Sequence, residues 1–188
     1  MSHFRGGFRP FEDPERRRWQ DPEAILSSIG LKAGMTFADI GCGGGFFTLP
    51  AARMVGKKGK VYGVDANPAV IAALREQAEK EGLANLYLTI AKAEEAVVCE
   101  GCADFIFFSI TLHDFHDASL VLKNARRTIK PDGKLIDLDW KKDGAMGPPP
   151  KIRFSDEYAS ELIKKAGFII ESVENYGPYH YLITARPG

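Results

Sequence analysis

The sequence predicts an α/β fold: a three-layer sandwich around a mostly parallel, seven-stranded sheet that ends in a C-terminal antiparallel hairpin. Five times a short apolar run of strand length precedes a segment whose apolar residues recur at helical spacing, the alternation that builds a parallel sheet through right-handed crossovers. The last two runs, Phe168 to Val173 and Tyr179 to Ala185, are joined through Asn175-Tyr176-Gly177-Pro178, a spacing that favours an antiparallel pair. A third observation is the run Asp39-Ile40-Gly41-Cys42-Gly43-Gly44-Gly45 between the first strand and its helix. Glycine has no Cβ to block positive φ or close approach, so this loop either cradles a ligand or serves as a plain strand-to-helix turn.

Each element has its own signal. Residues 1–20 place Phe4, Phe8, Phe11 and Trp19 among Arg5, Arg9, Arg16, Arg17 and Arg18, with glycine and proline interruptions. This segment reads as a tail, or as a flap that closes over a ligand with its arginines meeting an anion. Residues 21–188 read as one domain. Asp21-Pro22-Glu23 is a helix start, with Asp21 as cap and Pro22 at the first helical position, and Gly30 is the stop. Strand one is Met35 to Ile40, and a helix from Phe46 to Val55 tolerates Pro50 in its first turn. Lys60 to Asp65 is the second strand. Asn67-Pro68 opens a helix with Val70, Ile71, Leu74 and Ala78 on one stripe. Leu86 to Ile90 is the third strand, and a short segment Lys92 to Val98 follows. The nearly continuous apolar run Ala103 to Phe108 suits a strand covered on both faces. Helix Ala118 to Ile129 starts behind Asp117 as cap and ends in a turn at Pro131-Asp132-Gly133 before a fifth strand, Lys134 to Trp140. Lys141 to Pro150 is a loop, and Ser155 caps the last helix ahead of Gly167.

At 188 residues the chain suffices for one domain with a real core. Its 25 basic and 25 acidic residues cancel, which speaks against a nucleic-acid partner or an anionic surface held by a global field. No apolar run approaches the ~18 residues of a membrane span and no signal-peptide pattern opens the chain, so a cytoplasmic protein without a membrane span is expected. Three cysteines without a disulfide framework agree with a reducing compartment, and Cys99 and Cys102 read as two partly buried thiols in a connection.

The chemistry starts from Asp65, which falls at the end of the second strand, where a Rossmann-like unit places the acid that accepts hydrogen bonds from a ribose diol. A dinucleotide fingerprint from Gly41 would need a third glycine where this chain has Phe46, and Asp39 would repel phosphate but attract an ammonium or a sulfonium. A ligand carrying adenosine and positive charge fits both. Cys42 in the loop is a lining group, because no base is evident beside it.

In these motifs the chain resembles the class I S-adenosylmethionine-dependent methyltransferases, in particular their UbiE-like, type 11 branch. The resemblance runs through DIGCGGGFFT at 39–48, VYGVDANP at 61–68, KAEE at 92–95, ADFIFFSITLH at 103–113 and RRTIKPDGKL at 126–135. It implies a Rossmann-like fold, S-adenosyl-L-methionine as cofactor and a small-molecule or lipid-like methyl acceptor. By the same resemblance Asp39, Gly41, Cys42, Gly43, Gly45 and Phe46 surround the methionine part, Asp65 and Ala66 the ribose, and Ala93 and Glu94 the adenine, while Ser109 to Leu112 line the methyl side. Lys92 stands where many relatives have an acid, leaving Glu94 to recognise the adenine amino group. Methyl transfer to a neutral thioether leaving group needs mainly alignment, with a base only where the acceptor must lose a proton. His113 and His116 in the stretch HDFHD are the candidates for base or positioning group, facing one way if the stretch is helical; packing at a helix entrance is the other reading of His113. No metal site is expected from this single segment. Trp19, Tyr176, Tyr179, His180 and Tyr181 are candidates for the acceptor wall. A non-catalytic S-adenosylmethionine-binding protein and a nicotinamide-dependent oxidoreductase are the rival classes.

Overall fold

A computed structural model describes residues 14–188. Phe4, Phe8 and Phe11 of the predicted flap or tail lie outside the described residues. The sheet has seven strands in the order β3-β2-β1-β4-β5-β7-β6, where β1 is Thr36–Ile40, β2 Lys60–Asp65, β3 Leu86–Ile90, β4 Ala103–Ser109, β5 Ile129–Trp140, β6 Phe168–Tyr176 and β7 His180–Pro187. β1 to β5 pair in parallel, and β7 runs antiparallel between β5 and β6. The helices are α1 Pro14–Arg17, α2 Pro22–Ser28, α3 Thr48–Val55, α4 Pro68–Lys80, α5 Ala118–Thr128 and α6 Asp156–Lys165.

The caps read from the sequence hold these helices. Asp21 accepts from the Ala24 amide, Asn67 from Ala69, Asp117 from Leu120 and Ser155 from Tyr158, each satisfying an amide that has no partner within the helix. Along β4, Phe105 and Phe107 face α2 and α3, whereas Ile106 and Phe108 face the cluster that includes α5 and α6. Both faces are therefore covered, which is why this strand reads as unbroken apolar sequence. α4 closes the first face over β2 and β3 through Ile71, Leu74 and Ala78.

Three sequence expectations are corrected. The turn at Pro131-Asp132-Gly133 is an irregularity inside β5: Ile129 already has extended backbone and pairs with Ala103, and the register resumes at Phe105 with Lys134. Of the two C-terminal strands, the first runs three residues closer to the turn, to Tyr176, which pairs with His180, and the second starts at His180 rather than Tyr179 and continues to Pro187. Cys99 and Cys102 form a disulfide, their Cα atoms 5.9 Å apart across a reversal that Gly101 permits at φ +54°. Cysteine usage accordingly no longer speaks for a reducing compartment. No helix among the described residues is long and apolar enough to cross a membrane.

Candidate functional site

At the carboxyl end of β1 the chain turns back on itself, and the amides of Gly41 and Cys42 both donate to the Val64 carbonyl, at 2.8 and 2.9 Å. Gly41 has φ +81°, and a Cβ there would lie 2.9 Å from Thr111 Cγ2. Gly45 has φ +87°, and a Cβ there would lie 2.3 Å from Leu74 Cδ1. Glycine is required at both positions, by backbone angle and by space together. Asp65, at the end of β2, ties the loop down: one carboxylate oxygen accepts from the Gly43 amide and the other from Asn67, both at 2.9 Å.

A cavity of about 550 Å³ opens here, in the range of small-ligand sites. Of the sequence-predicted residues it brings together Gly41, Asp65, Ala66, Ala93, Glu94 and His116. Glu94 stands at its wall with one carboxylate oxygen accepting from the Asp117 amide at 3.1 Å, so part of its hydrogen-bonding capacity serves the start of α5. Leu112 is fully buried with Val121 and Leu122 in the core, away from the cavity wall.

The remaining loop residues line no part of that cavity. Asp39 is 2% exposed and accepts from Thr48 Oγ1 at 2.7 Å. Burial raises its carboxyl to about 6, with the Thr48 hydroxyl and the Arg16 charge drawing it down and the Asp65 charge pushing it up. Burial likewise pushes the Cys42 thiol well up, with Asp39 and Asp65 adding to the effect, which keeps it a thiol. Phe46 is buried edge-to-face against Phe47, and the Arg16 guanidinium lies 4.1 Å above its ring.

The residue that follows β4 is strained. Ile110, β-branched, has φ +53° and donates its amide to the Leu138 carbonyl at 2.7 Å. Beyond it Thr111 meets Gly41, and before it Ser109 Oγ accepts from Arg16 Nη2 at 2.9 Å.

The two histidines part company. Leu112–Asp114 makes one 3₁₀ turn, and Phe115 returns to extended backbone, so His113 and His116 do not share a face. His116 is exposed at the cavity, whereas the His113 side chain is 1% exposed and its Nδ1 lies 2.8 Å from Asp139 of β5. Asp139 also accepts from the Trp140 amide at 2.7 Å, and Asp114 lies 3.3 Å from His113 Nε2. Burial lowers the His113 pKa, but the Asp139 hydrogen bond and the charges of Asp139 and Asp114 outweigh it, so the net direction is up. Asp139 was invisible to sequence reasoning, since nothing in Leu138-Asp139-Trp140 shows which way the carboxylate points. Its neighbour on the same face, Asp137, is fully buried without a hydrogen-bond partner, and burial raises its carboxyl well above the ordinary range.

The candidate acceptor wall divides between the faces of the sheet. Tyr181 is buried on the α5 and α6 side. Trp19 stacks on His180 at 5.1 Å and meets Trp140 at 5.4 Å, beside Arg16. Arg153 is a further residue that sequence reasoning missed: 3% exposed, it donates to the carbonyls of Pro148, Lys141 and Gly144 and so organises the loop after β5. Among the described residues no three His, Cys, Asp or Glu side chains gather as a metal site.

A family model described as methyltransferase domain matches residues 31–172. A solved S-adenosylmethionine-dependent methyltransferase from Aquifex aeolicus superposes with a TM-score of 0.88 at 33% identity, covering 94% of each chain. The ubiquinone/menaquinone biosynthesis C-methyltransferase UbiE of Vibrio vulnificus is 29% identical over 158 residues, 84% of this chain and 59% of that protein. Nocamycin O-methyltransferase of Saccharothrix syringae is 28% identical over 131 residues, 69% of this chain and 44% of the relative. The chain thus spans about half the length of the curated relatives it matches.

Proposed function

This chain belongs to the S-adenosylmethionine-dependent methyltransferases of the methyltransferase-domain family, and from that premise we propose that it methylates a small-molecule or lipid-like acceptor. One observation carries the reading: the cavity that runs from Gly41 past Asp65 to Ala93 and Glu94 at the carboxyl ends of β1 and β2. Its residues fit the cofactor. An added Cβ at Gly41 would run into Thr111 at the cavity wall, and Asp65 lines the cavity with lone pairs on its carboxylate beyond the two used by the loop.

In this reading Asp65 accepts from the ribose hydroxyls with Ala66 beside it, and Ala93 and Glu94 flank the base. Gly41, Cys42, Gly43, Gly45 and Phe46 shape the loop around the methionine part, with Asp39 as the buried negative charge behind it. When bound, S-adenosylmethionine supplies an electrophilic methyl group on a sulfonium, displaced in line with a neutral thioether as leaving group. Ser109, set by the strained turn at Ile110, borders the methyl side. Where the acceptor must lose a proton or be held in line, His113 is a candidate positioning group: Asp139 holds Nδ1 and fixes the ring, while Nε2 lies against Asp114 rather than at the cavity wall. His116 at the cavity rim is the second candidate. The named relatives include both a C- and an O-methyltransferase, and the UbiE name supports a quinone-type, lipid-like acceptor.

Calorimetric titration with S-adenosylmethionine, S-adenosylhomocysteine and NADH in parallel tests the proposal. Micromolar binding of the first two without the third is the expected result, and binding of NADH alone overturns it.

A further inference from the structure

At the amino ends of β2 and β3 a second cavity, of about 560 Å³, is lined by Arg53, Lys57, Lys58 and Lys60 and by no acid. These four cations fall within eight residues of a chain whose charges cancel overall. The turn Gly56-Lys57-Lys58-Gly59 gathers them. The Gly59 amide donates to the Gly56 carbonyl at 3.0 Å, and a Cβ at Gly59 would lie 2.5 Å from that of Val55, so the turn is pinned against α3 with two lysines at its tip. Arg53 is spent on Glu81, to which it donates two hydrogen bonds at 2.8 Å. Lys57, Lys58 and Lys60 are exposed, and among the described residues none of them pairs with a carboxylate. The negative end of α3 would oppose an anion here, but Asn85 covers it, Nδ2 donating to the carbonyls of Ala52 and Gly56 at 2.8 and 3.0 Å. Three like charges thus surround one concavity, and an anion inside it would relieve their repulsion.

We propose that this cavity binds a small organic di- or triphosphate, at a site separate from the methyl-transfer chemistry. Each ammonium is a point charge with three donors and no acceptor, and three of them around one space match a chain of phosphates better than the single charge of a carboxylate. The volume is in the range of small-ligand sites and leaves room for an organic part beside the phosphates. Leu83 and Tyr87 also line it, and the Tyr87 ring, 47% exposed and stacked with Tyr62 at 5.3 Å, offers a surface for a flat group such as a base. An anionic bilayer is the poorer match. Lys60 opens β2 and Asp65 closes it, roughly 17 Å further along the strand, so a protein resting on lipid through these lysines would turn its cofactor cavity away from the surface.

The test is calorimetric titration of the full-length protein with inorganic tripolyphosphate and with GTP, at about 0.15 M salt to screen diffuse attraction and with S-adenosylhomocysteine present to keep the nucleotide out of the cofactor cavity. Both should bind saturably. Lys57→Gln/Lys58→Gln/Lys60→Gln should weaken both by about tenfold or more, whereas Lys123→Gln/Lys164→Gln/Lys165→Gln, which removes the same charge from α5 and α6, should leave them unchanged. Tyr87→Ser should weaken GTP by about fivefold or more without altering tripolyphosphate. In the unaltered protein, bound tripolyphosphate should shield Lys57, Lys58 and Lys60 from acetic anhydride, as read by mass spectrometry, so the result does not depend on the folding of a variant. Absence of tripolyphosphate binding, an equal loss in the two triple variants, or acetylation of the three lysines that tripolyphosphate does not change overturns the site. GTP affinity unmoved by Tyr87→Ser overturns the placement of the organic part. Co-sedimentation with phosphatidylglycerol vesicles that needs the three lysines and resists tripolyphosphate overturns the proposal in favour of a membrane surface. Failure of S-adenosylhomocysteine to bind counts instead against the cofactor reading, and the tripolyphosphate titration still decides this site.

Discussion

Replacing Asp39 with asparagine should stabilise the ligand-free protein at alkaline pH while weakening its hold on the cofactor. The carboxyl is 2% exposed, and burial raises it from the ordinary 3.8 to about 6 against the pull of Thr48 and Arg16. A group that binds its proton more tightly when folded contributes stability that is complete below pH 3.8 and is lost as the pH rises through about 6. At ~1.4 kcal/mol per pH unit the full loss is about 3 kcal/mol, and about 2 kcal/mol of it falls between pH 4 and pH 8. Asparagine does not titrate, and its side-chain oxygen can still accept from Thr48 Oγ1. Urea unfolding followed by tryptophan fluorescence at pH 4, 6 and 8 measures the difference between the two proteins. The variant should gain about 2 kcal/mol on the parent across that range. A difference that stays constant from pH 4 to pH 8 would refute the argument, because it would mean that Asp39 titrates alike in the folded and unfolded chains. In the parent a cationic ligand should also expel the proton, so calorimetry near pH 5.5 in buffers of unequal ionisation enthalpy should show proton release on S-adenosylmethionine binding. The asparagine variant should show less.

Three other outcomes follow from the site. Gly41→Ala places a Cβ 2.9 Å from Thr111 at φ +81°, and should cost about 1–2 kcal/mol in urea unfolding as well as S-adenosylhomocysteine affinity. Asp65→Asn removes a charged acceptor from the proposed ribose site and one of two loop tethers; calorimetry should show S-adenosylhomocysteine binding weakened by about tenfold or more, and unchanged affinity would discard the ribose assignment. Asp139→Asn takes the carboxylate from His113 Nδ1, so the His113 midpoint in an NMR titration should fall; the stability that this pair contributes below the ordinary histidine pKa, and loses as pH rises through the elevated value, should disappear with it.

Much of the fold was legible because its signals are local. Asp21, Asn67, Asp117 and Ser155 each cap the helix they precede, since a cap satisfies amides two or three residues ahead in the same chain. The unbroken apolar run of β4 announced two covered faces. The C-terminal hairpin was legible as a pair, but its insertion with β7 next to β5 was not, because an antiparallel strand can join an edge in either order and the choice rests on side-chain packing across the sheet. The continuation of β5 back to Ile129 depended on Ala103, a partner that no local pattern names.

For the site the division runs between backbone and side chain. The sequence alone determined the glycine loop and the acid at the end of the next strand, because positive φ and strand periodicity are written in single residues and short spacings. It also placed His113 and His116 beyond the fourth strand. Only the tertiary structure decided that His113 turns inward to Asp139 while His116 opens to the cavity, and that Leu112 belongs to the core. It alone also set Arg16 against Ser109, 93 positions away in the chain. These are contacts between elements whose approach is governed by burying both faces of the sheet, and hydrogen bonds across such distances have no periodicity to betray them.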